Sequence, residues 1–266
     1  MMNTEEKLSD YILKARILAL KAGKEIMKFY SNNIEFHQKP DKSPITLADR
    51  AADKIITNGL NKYFPKIPII SEESVENIYQ PKEINLENKI FWLVDPLDGT
   101  KEFINKNDEF TVNIGLIKNG KPWIGVLYLP VKRICYVGEV GVGAASWLDN
   151  AKPCPISVRS APSSGPVILA SRSHINDETQ RWINDLKPSS IITAGSALKF
   201  ALLASGNADI YPRFGPTMEW DTAAGHAILE AAGGSLFQPN NKPLIYGKPG
   251  YKNPHFIACG ATNEKK

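Results

Sequence analysis

Residues Ile90–Val94 form an unbroken apolar run that ends in Asp95-Pro96-Leu97-Asp98-Gly99-Thr100. The run reads as a strand of the buried type, and burying it forces two carboxylates to the end of a sheet. In open α/β sheets, strand ends are where ligand-binding groups sit. Pro96 lacks a backbone donor and is expected to fix a turn, so that Asp95 and Asp98 point at one site with the Leu97 carbonyl free. Gly99 lets the backbone approach an anion closely, and Thr100-Lys101-Glu102-Phe103 is expected to start a short helix with its N–H groups free. This arrangement suits divalent cations and phosphate better than it suits a core.

The remaining composition narrows the class. A chain of 266 residues, 42% hydrophobic and 23% charged, can bury a sizeable core without a disulfide or metal staple. Cys135, Cys154 and Cys259 are scattered, show no C-x-x-C spacing and suit a reducing compartment. No stretch approaches a membrane span of about 20 apolar residues. A polar start from Met1 to Asp10 does not resemble a signal peptide. The expected location is therefore the cytoplasm, with peripheral association on the inner face of the membrane as the alternative. A net charge of +4, with lysine and glutamate mixed along the chain, argues against a nucleic-acid polymer as partner.

Hydrophobic spacing predicts helices over Leu8–Tyr30 and Thr46–Tyr63, with a proline-marked turn region from His37 to Pro44 between them. A short strand over Ile67–Ile70 delivers Ser71-Glu72-Glu73, and Val75–Asn88 is polar and irregular. Strands over Thr111–Lys118, Pro122–Leu129 and Ile134–Val140, joined by short turns, predict a largely antiparallel sheet. Composition shifts over Val158–Pro166, where a boundary is expected: residues 1–158 as an N-terminal α+β part that binds metal, 159–266 as a C-terminal α/β part. In the second part strands at Val167–Ser171, Ser190–Thr193 and Ala208–Tyr211 alternate with helices at Asp177–Asp185, Ala197–Ser205 and Thr222–Ala232.

Further acids stand at element ends: Glu72 and Glu73 after one strand, Asp221 at a helix start, and Asp49 in the second helix beside Thr46. Singly each has a structural reading, as cap, turn residue or loop charge. Converging, they would repel one another unless a cation neutralised them. Oxygen-only ligands select a hard ion such as Mg²⁺ or Mn²⁺ over zinc.

Asp95-Pro96-Leu97-Asp98-Gly99-Thr100, with Ser71-Glu72-Glu73 upstream and Glu219-Trp220-Asp221-Thr222-Ala223-Ala224-Gly225 downstream, resembles the inositol monophosphatase superfamily. The match runs from Lys42-Ser43-Pro44-Ile45-Thr46-Leu47-Ala48-Asp49 to Asp221. Asp98-Gly99-Thr100-Lys101-Glu102-Phe103, Ala170-Ser171-Arg172-Ser173-His174, Gly195-Ser196-Ala197-Leu198-Lys199-Phe200 and Tyr211-Pro212-Arg213 look like the bacterial 3'(2'),5'-bisphosphate nucleotidases. Ala197 departs from the pattern, since many relatives carry a second serine there.

The resemblance implies a layered αβαβα sandwich of the α/β (α+β) class, and a lithium-sensitive, Mg²⁺-dependent phosphomonoesterase. Its expected reaction converts adenosine 3',5'-bisphosphate to AMP and phosphate, removing a by-product of sulfate-activation chemistry. Two or three Mg²⁺ ions are implied, with Mn²⁺ as an alternative. Glu72, Asp95 and the Leu97 carbonyl would hold one ion, and Asp95, Asp98 and Asp221 a second. Thr100 and Asp49 would orient and deprotonate the attacking water, and Glu73 would support the site or a third ion. Gly99 and Thr100 would hold the transferred phosphate. His174, Ser196, Lys199 and Arg213 are the candidates for the second phosphate, and Asp221 also faces substrate. Arg172 reads as structural or peripheral. The partner is thus a small nucleotide bisphosphate bound by a monomer or homodimer. An inositol or sugar monophosphatase of the same superfamily is the alternative, and a non-catalytic nucleotide-binding regulator a third reading.

Overall fold

The computed structural model describes residues 9–31, 36–38, 44–75, 89–149, 151–172 and 175–261. Helix α1 (Asp10–Tyr30) buries Ile12, Ala15, Leu18, Ala19, Ala22 and Ile26 on one face, as their spacing predicts. Strands β1 (Phe36–Gln38) and β2 (Pro44–Thr46) then pair antiparallel, where the sequence suggested only a turn region. Helix α2 (Leu47–Tyr63) follows, capped by Thr46, and buries Ala48, Asp49, Ala52, Ile56 and Leu60. The two helices close tightly because residue 59 is glycine: a Cβ there would lie 2.8 Å from Leu18 Cδ1.

Strand β3 (Ile69–Ser71) runs into the single turn α3 (Glu72–Val75). Strand β4 (Ile90–Asp98), the short helix α4 (Thr100–Ile104), and strands β5 (Thr111–Lys118), β6 (Lys121–Leu129), β7 (Ile134–Glu139), β8 (Gly143–Leu148) and β9 (Cys154–Ile156) complete the first half. Strands β3 to β9 form a seven-stranded sheet in sequence order, with β3 parallel to β4 and every later pair antiparallel.

The second half comprises β10 (Val167–Ser171), α5 (Asp177–Asp185), β11 (Ser190–Ala194), α6 (Leu198–Ala204), β12 (Ile210–Arg213), α7 (Glu219–Ala231), β13 (Ser235–Phe237) and β14 (Phe256–Cys259). Its sheet has the order β11-β10-β12-β14-β13, parallel at the β11, β10 and β12 end and antiparallel across β14. The layers are therefore α1 and α2, the seven-stranded sheet, α6 and α7, the five-stranded sheet, and α5. One core joins α1 and α2 to one face of the first sheet. A second joins that sheet's other face (Phe91, Leu93, Leu127) to Phe200, Trp220, Ile228 and Phe256. A third lies under α5. Fully buried side chains such as Trp92, Phe91 and Phe256 each contribute roughly 1.5–3 kcal/mol by leaving water.

One glycine row sets where α7 sits. Gly115, Gly125 and Gly138 are register neighbours across β5, β6 and β7. A Cβ at these positions would lie 2.8 Å from Ala223 Cβ, 2.9 Å from the Ala224 carbonyl carbon and 2.6 Å from Ile228 Cα, respectively. The bare stripe lets α7 lie directly on the sheet, which carries Asp221 toward the end of β4.

Two expectations are corrected. Strand β4 does not stop at Val94 but continues through Asp98, with a bulge between Asp95, opposite Asn113, and Asp98, opposite Thr111. Pro96 occupies that bulge, where a missing N–H breaks no ladder bond, so it creates an irregularity within the strand and not a turn after it. Helix α7 begins at Glu219, three residues earlier than expected. Asp221 is its third residue and accepts the Met218 N–H at 2.8 Å.

Candidate active site

A cavity of about 290 Å³ opens where the end of β4, the start of α7 and the loop before α6 meet. Glu72, Asp95, Leu97, Asp98, Gly99, Thr100 and Asp221 line it, together with Ser196, Lys199 and Arg213 from the second half. Residues far apart in sequence are thus brought to one space. Asp49 and Glu73 are buried and do not belong to the lining, and His174 lies outside the described residues.

Asp98 is held by hydrogen bonds on one oxygen. Its Oδ2 accepts the Ala197 N–H at 2.6 Å and Asn113 Nδ2 at 3.1 Å. Burial pushes its pKa up to about 6, against the pull of Lys199 and these hydrogen bonds, and the charge of Glu102 pushes the same way as burial. Asp221 is raised well above the usual carboxylate range, first by burial and then by the charges of Asp98 and Glu72. Asp95 Oδ1 accepts the Leu97 N–H at 3.1 Å, which leaves the Leu97 carbonyl turned toward Thr100.

Thr100 is the link to Asp49. Its Oγ1 donates to Asp49 Oδ1 at 3.2 Å and lies 3.4 Å from the Leu97 carbonyl. The other Asp49 oxygen accepts the Thr46 N–H at 2.7 Å and the Thr46 hydroxyl at 2.5 Å, forming a capping box that fixes the carboxylate. The hydroxyl and the carboxylate are therefore aligned before any ligand arrives. Gly99, at φ +92°, makes the left-handed turn that places Thr100 at the start of α4.

The opposite wall is basic. Lys199 is buried, and its Nζ donates to the Ser196 carbonyl at 2.6 Å and the Ala194 carbonyl at 3.1 Å. Burial lowers its pKa to about 8, an effect that the charge of Asp98 opposes. Arg213 is also buried and donates to the Pro216 carbonyl at 3.0 Å. Ser196 holds a left-handed conformation, φ +44°, on the wall between the two.

Mutual repulsion among Asp98, Asp221 and Glu72 is the observation that fits a divalent cation: a positive charge would relieve what now raises Asp221. Among the described residues no three acid, histidine or cysteine side chains close on a single point. An ion there would complete its shell with the Leu97 carbonyl, water and substrate oxygen, as Mg²⁺ commonly does.

The sequence reading missed several parts. Glu102 is a buried acid on the cavity wall, packed against Gly195, where a Cβ would lie 2.7 Å from Glu102 Cγ. Its only signal was its place two residues after Thr100. Asn113 and the Ala197 N–H orient Asp98 through long-range pairings that no local pattern announces. Glu219, part of the motif around Asp221, is fully buried away from the cavity lining. It accepts from the Gly247 and Lys248 N–H groups and from Lys248 Nζ at 2.6–2.9 Å, fastening the 245–248 segment to α7.

A five-layer fold with an acidic strand end facing a basic wall defines a phosphomonoesterase of the metal-dependent kind. The inositol monophosphatase family model matches residues 8–264, and the chain belongs to that family. It is 44% identical over 243 residues to the 3'(2'),5'-bisphosphate nucleotidase CysQ of Salmonella typhimurium, covering 90% of this chain and 95% of that one. It is equally 44% identical to the protein of that name from Buchnera aphidicola, with 88% and 85% covered. Among solved structures it is similar to CysQ from Bacteroides thetaiotaomicron, with a TM-score of 0.81, 39% identity, and 95% and 98% coverage.

Proposed function

We propose that this chain is a 3'(2'),5'-bisphosphate nucleotidase that hydrolyses adenosine 3',5'-bisphosphate to AMP and phosphate. The observation that carries this reading is one cavity lined both by acids (Glu72, Asp95, Asp98, Asp221) and by the cations Lys199 and Arg213, with the Ser196 hydroxyl beside them. A monophosphate has little use for the second wall, which sets this reading above an inositol or sugar monophosphatase.

In this reading the acidic wall and the Leu97 carbonyl hold two or three Mg²⁺ ions, with Mn²⁺ as a substitute. Bound there, they supply an acidified water and neutralise charge on the phosphoryl oxygens. The Thr100 hydroxyl, aligned on Asp49, receives the proton of the attacking water and passes its own to the carboxylate. The Gly99 and Thr100 backbone holds the transferred phosphoryl group. Glu73, which is buried, supports the site or a third ion. Lys199 as a point charge and Arg213 as a fork bind the second phosphate, and this fixes which end of the nucleotide faces Thr100. We assign the activity to the cytoplasm, where the free cysteines Cys135, Cys154 and Cys259 are stable.

The test is Asp95→Asn. Metal-dependent phosphate release from adenosine 3',5'-bisphosphate is expected to fall by at least about a hundredfold, the size of losing one main electrostatic contributor. Full turnover by the variant would undo the assignment.

A further inference from the structure

One surface-facing ion pair joins the two halves at the rim of the basic wall. Glu109 lies in the loop between α4 and β5, and Arg172 follows β10. Arg172 grips Glu109 with both arms of its fork, Nε to Oε2 at 2.9 Å and a terminal nitrogen to Oε1 at 2.7 Å, and that terminal nitrogen also reaches the Thr193 carbonyl at 3.3 Å. Glu109 Oε2 accepts a further bond, the Gly195 N–H at 2.7 Å. A two-armed, charge-assisted pair with a backbone bond on the same carboxylate is a much firmer tie than an isolated surface salt bridge.

What the tie holds is the segment that builds the second-phosphate wall. Gly195 leads directly into Ser196, whose left-handed backbone must be held in place by its surroundings. Two residues beyond Gly195, the Ala197 N–H docks on Asp98. Lys199 Nζ is then tethered to the Ala194 and Ser196 carbonyls. The segment 194–199 is thus pinned at one end by Glu109 and at its middle by Asp98, and neither Glu109 nor Arg172 lines the cavity.

We infer that Glu109, locked by Arg172, is a positioning residue for the second phosphate: it fixes the loop that presents Ser196 and Lys199, and so sets the preference for a bisphosphate over a monophosphate. This rests on the proposed bisphosphate substrate. Because Thr100, Asp49 and Asp95 are fastened by other bonds, and Asp98 keeps both Asn113 and the Ala197 N–H, loosening the Glu109 tie weakens substrate binding more than turnover.

The test uses the full chain with Mg²⁺ and compares adenosine 3',5'-bisphosphate with adenosine 3'-monophosphate, which lacks the second phosphate. Glu109→Gln keeps the side-chain shape and removes the charge. Its KM for the bisphosphate is expected to rise about tenfold, the scale of one charge-assisted bond. Its kcat, and its KM for the monophosphate, should stay within about twofold, a margin well below one such bond. Arg172→Ala should reproduce this split, and Glu109→Asp should partly restore binding. Equal losses on both substrates, or no change on either, overturn the inference. Should the wild-type chain not prefer the bisphosphate, the substrate reading fails on its own account. The clamp is then judged by hydrogen exchange over residues 194–198, and unchanged exchange in Glu109→Gln overturns it.

Discussion

The Ala197 N–H donates to Asp98 Oδ2 at 2.6 Å across 99 positions of chain, joining the loop before α6 to the bulged end of β4. This single bond ties the acidic wall to the basic one and fixes the face that Asp98 turns to the cavity. The contact uses the Ala197 backbone, which leaves its buried methyl to occupy space in the core.

Thr100 and Asp49 act as a unit, so their substitutions should not add. Thr100→Ala and Asp49→Asn are each expected to reduce kcat by about 10²–10⁴, the range for a lost general base. The double variant should be little worse than either single one, and Thr100→Ser should retain most activity. Single-turnover phosphate release measures this.

Asp98 gives a pH signature in metal-free protein. Its folded pKa, about 6, lies above the ordinary value of 3.8, so folding favours the protonated form. That contribution is fully present below about pH 3.8 and is lost as pH rises through about 6. At pH 8, metal-free Asp98→Asn should therefore be more stable than metal-free wild type by roughly 1–3 kcal/mol, with the gap closing toward pH 4. Adding Mg²⁺ should reverse the order at pH 8. Urea midpoints at the two pH values, with and without Mg²⁺, check it.

Lys199 gives a signature of the opposite sign. Its pKa is lowered to about 8, so its charge fades above that pH. The ratio of kcat/KM for the bisphosphate to that for adenosine 3'-monophosphate is expected to fall as pH rises through about 8. Lys199→Met should have a low ratio at every pH. Taking the ratio removes the pH dependence that the two substrates share.

The glycine row under α7 should tolerate no side chain. Gly125→Ala drives a methyl into the Ala224 backbone and is expected to cost about 1–3 kcal/mol of stability as overpacking. It should also lower activity at saturating Mg²⁺, because α7 carries Asp221. A conservative change on the exposed side of α1, such as Lys24→Arg, should do neither. Urea unfolding and phosphate release on the same samples separate the two effects.

Much of the site was legible because its acids stand at element ends, where a core offers no reason for them. Asp95 and Asp98 could be read from the apolar run before them, and Asp221 from the aromatic before it and the small-residue helix after it. The layered order was carried by the family resemblance more than by periodicity: β13 and β14 gave no signal that the sequence reading used, and β14 (Phe256–Cys259) is an interior strand that joins β12 to β13 in the second sheet. Pro96 was misread because a proline after an apolar run marks a turn far more often than a bulge. Gly115, Gly125 and Gly138 could not be read as one feature, since only strand register aligns them. Glu109 and Arg172 are 63 residues apart and look like ordinary surface charge until the Gly195 N–H is seen to donate to Glu109.

Hydrolysis of a nucleotide bisphosphate in this cavity, with help from divalent metal, is open to direct test. The most direct measurement is phosphate release by the purified chain from adenosine 3',5'-bisphosphate and from inositol 1-phosphate, each with Mg²⁺ and with chelator. Mg²⁺-dependent release is expected, with a much higher kcat/KM on the bisphosphate, and chelator should abolish it. Efficient hydrolysis of inositol 1-phosphate with none from the bisphosphate, or release that persists in chelator, would contradict it.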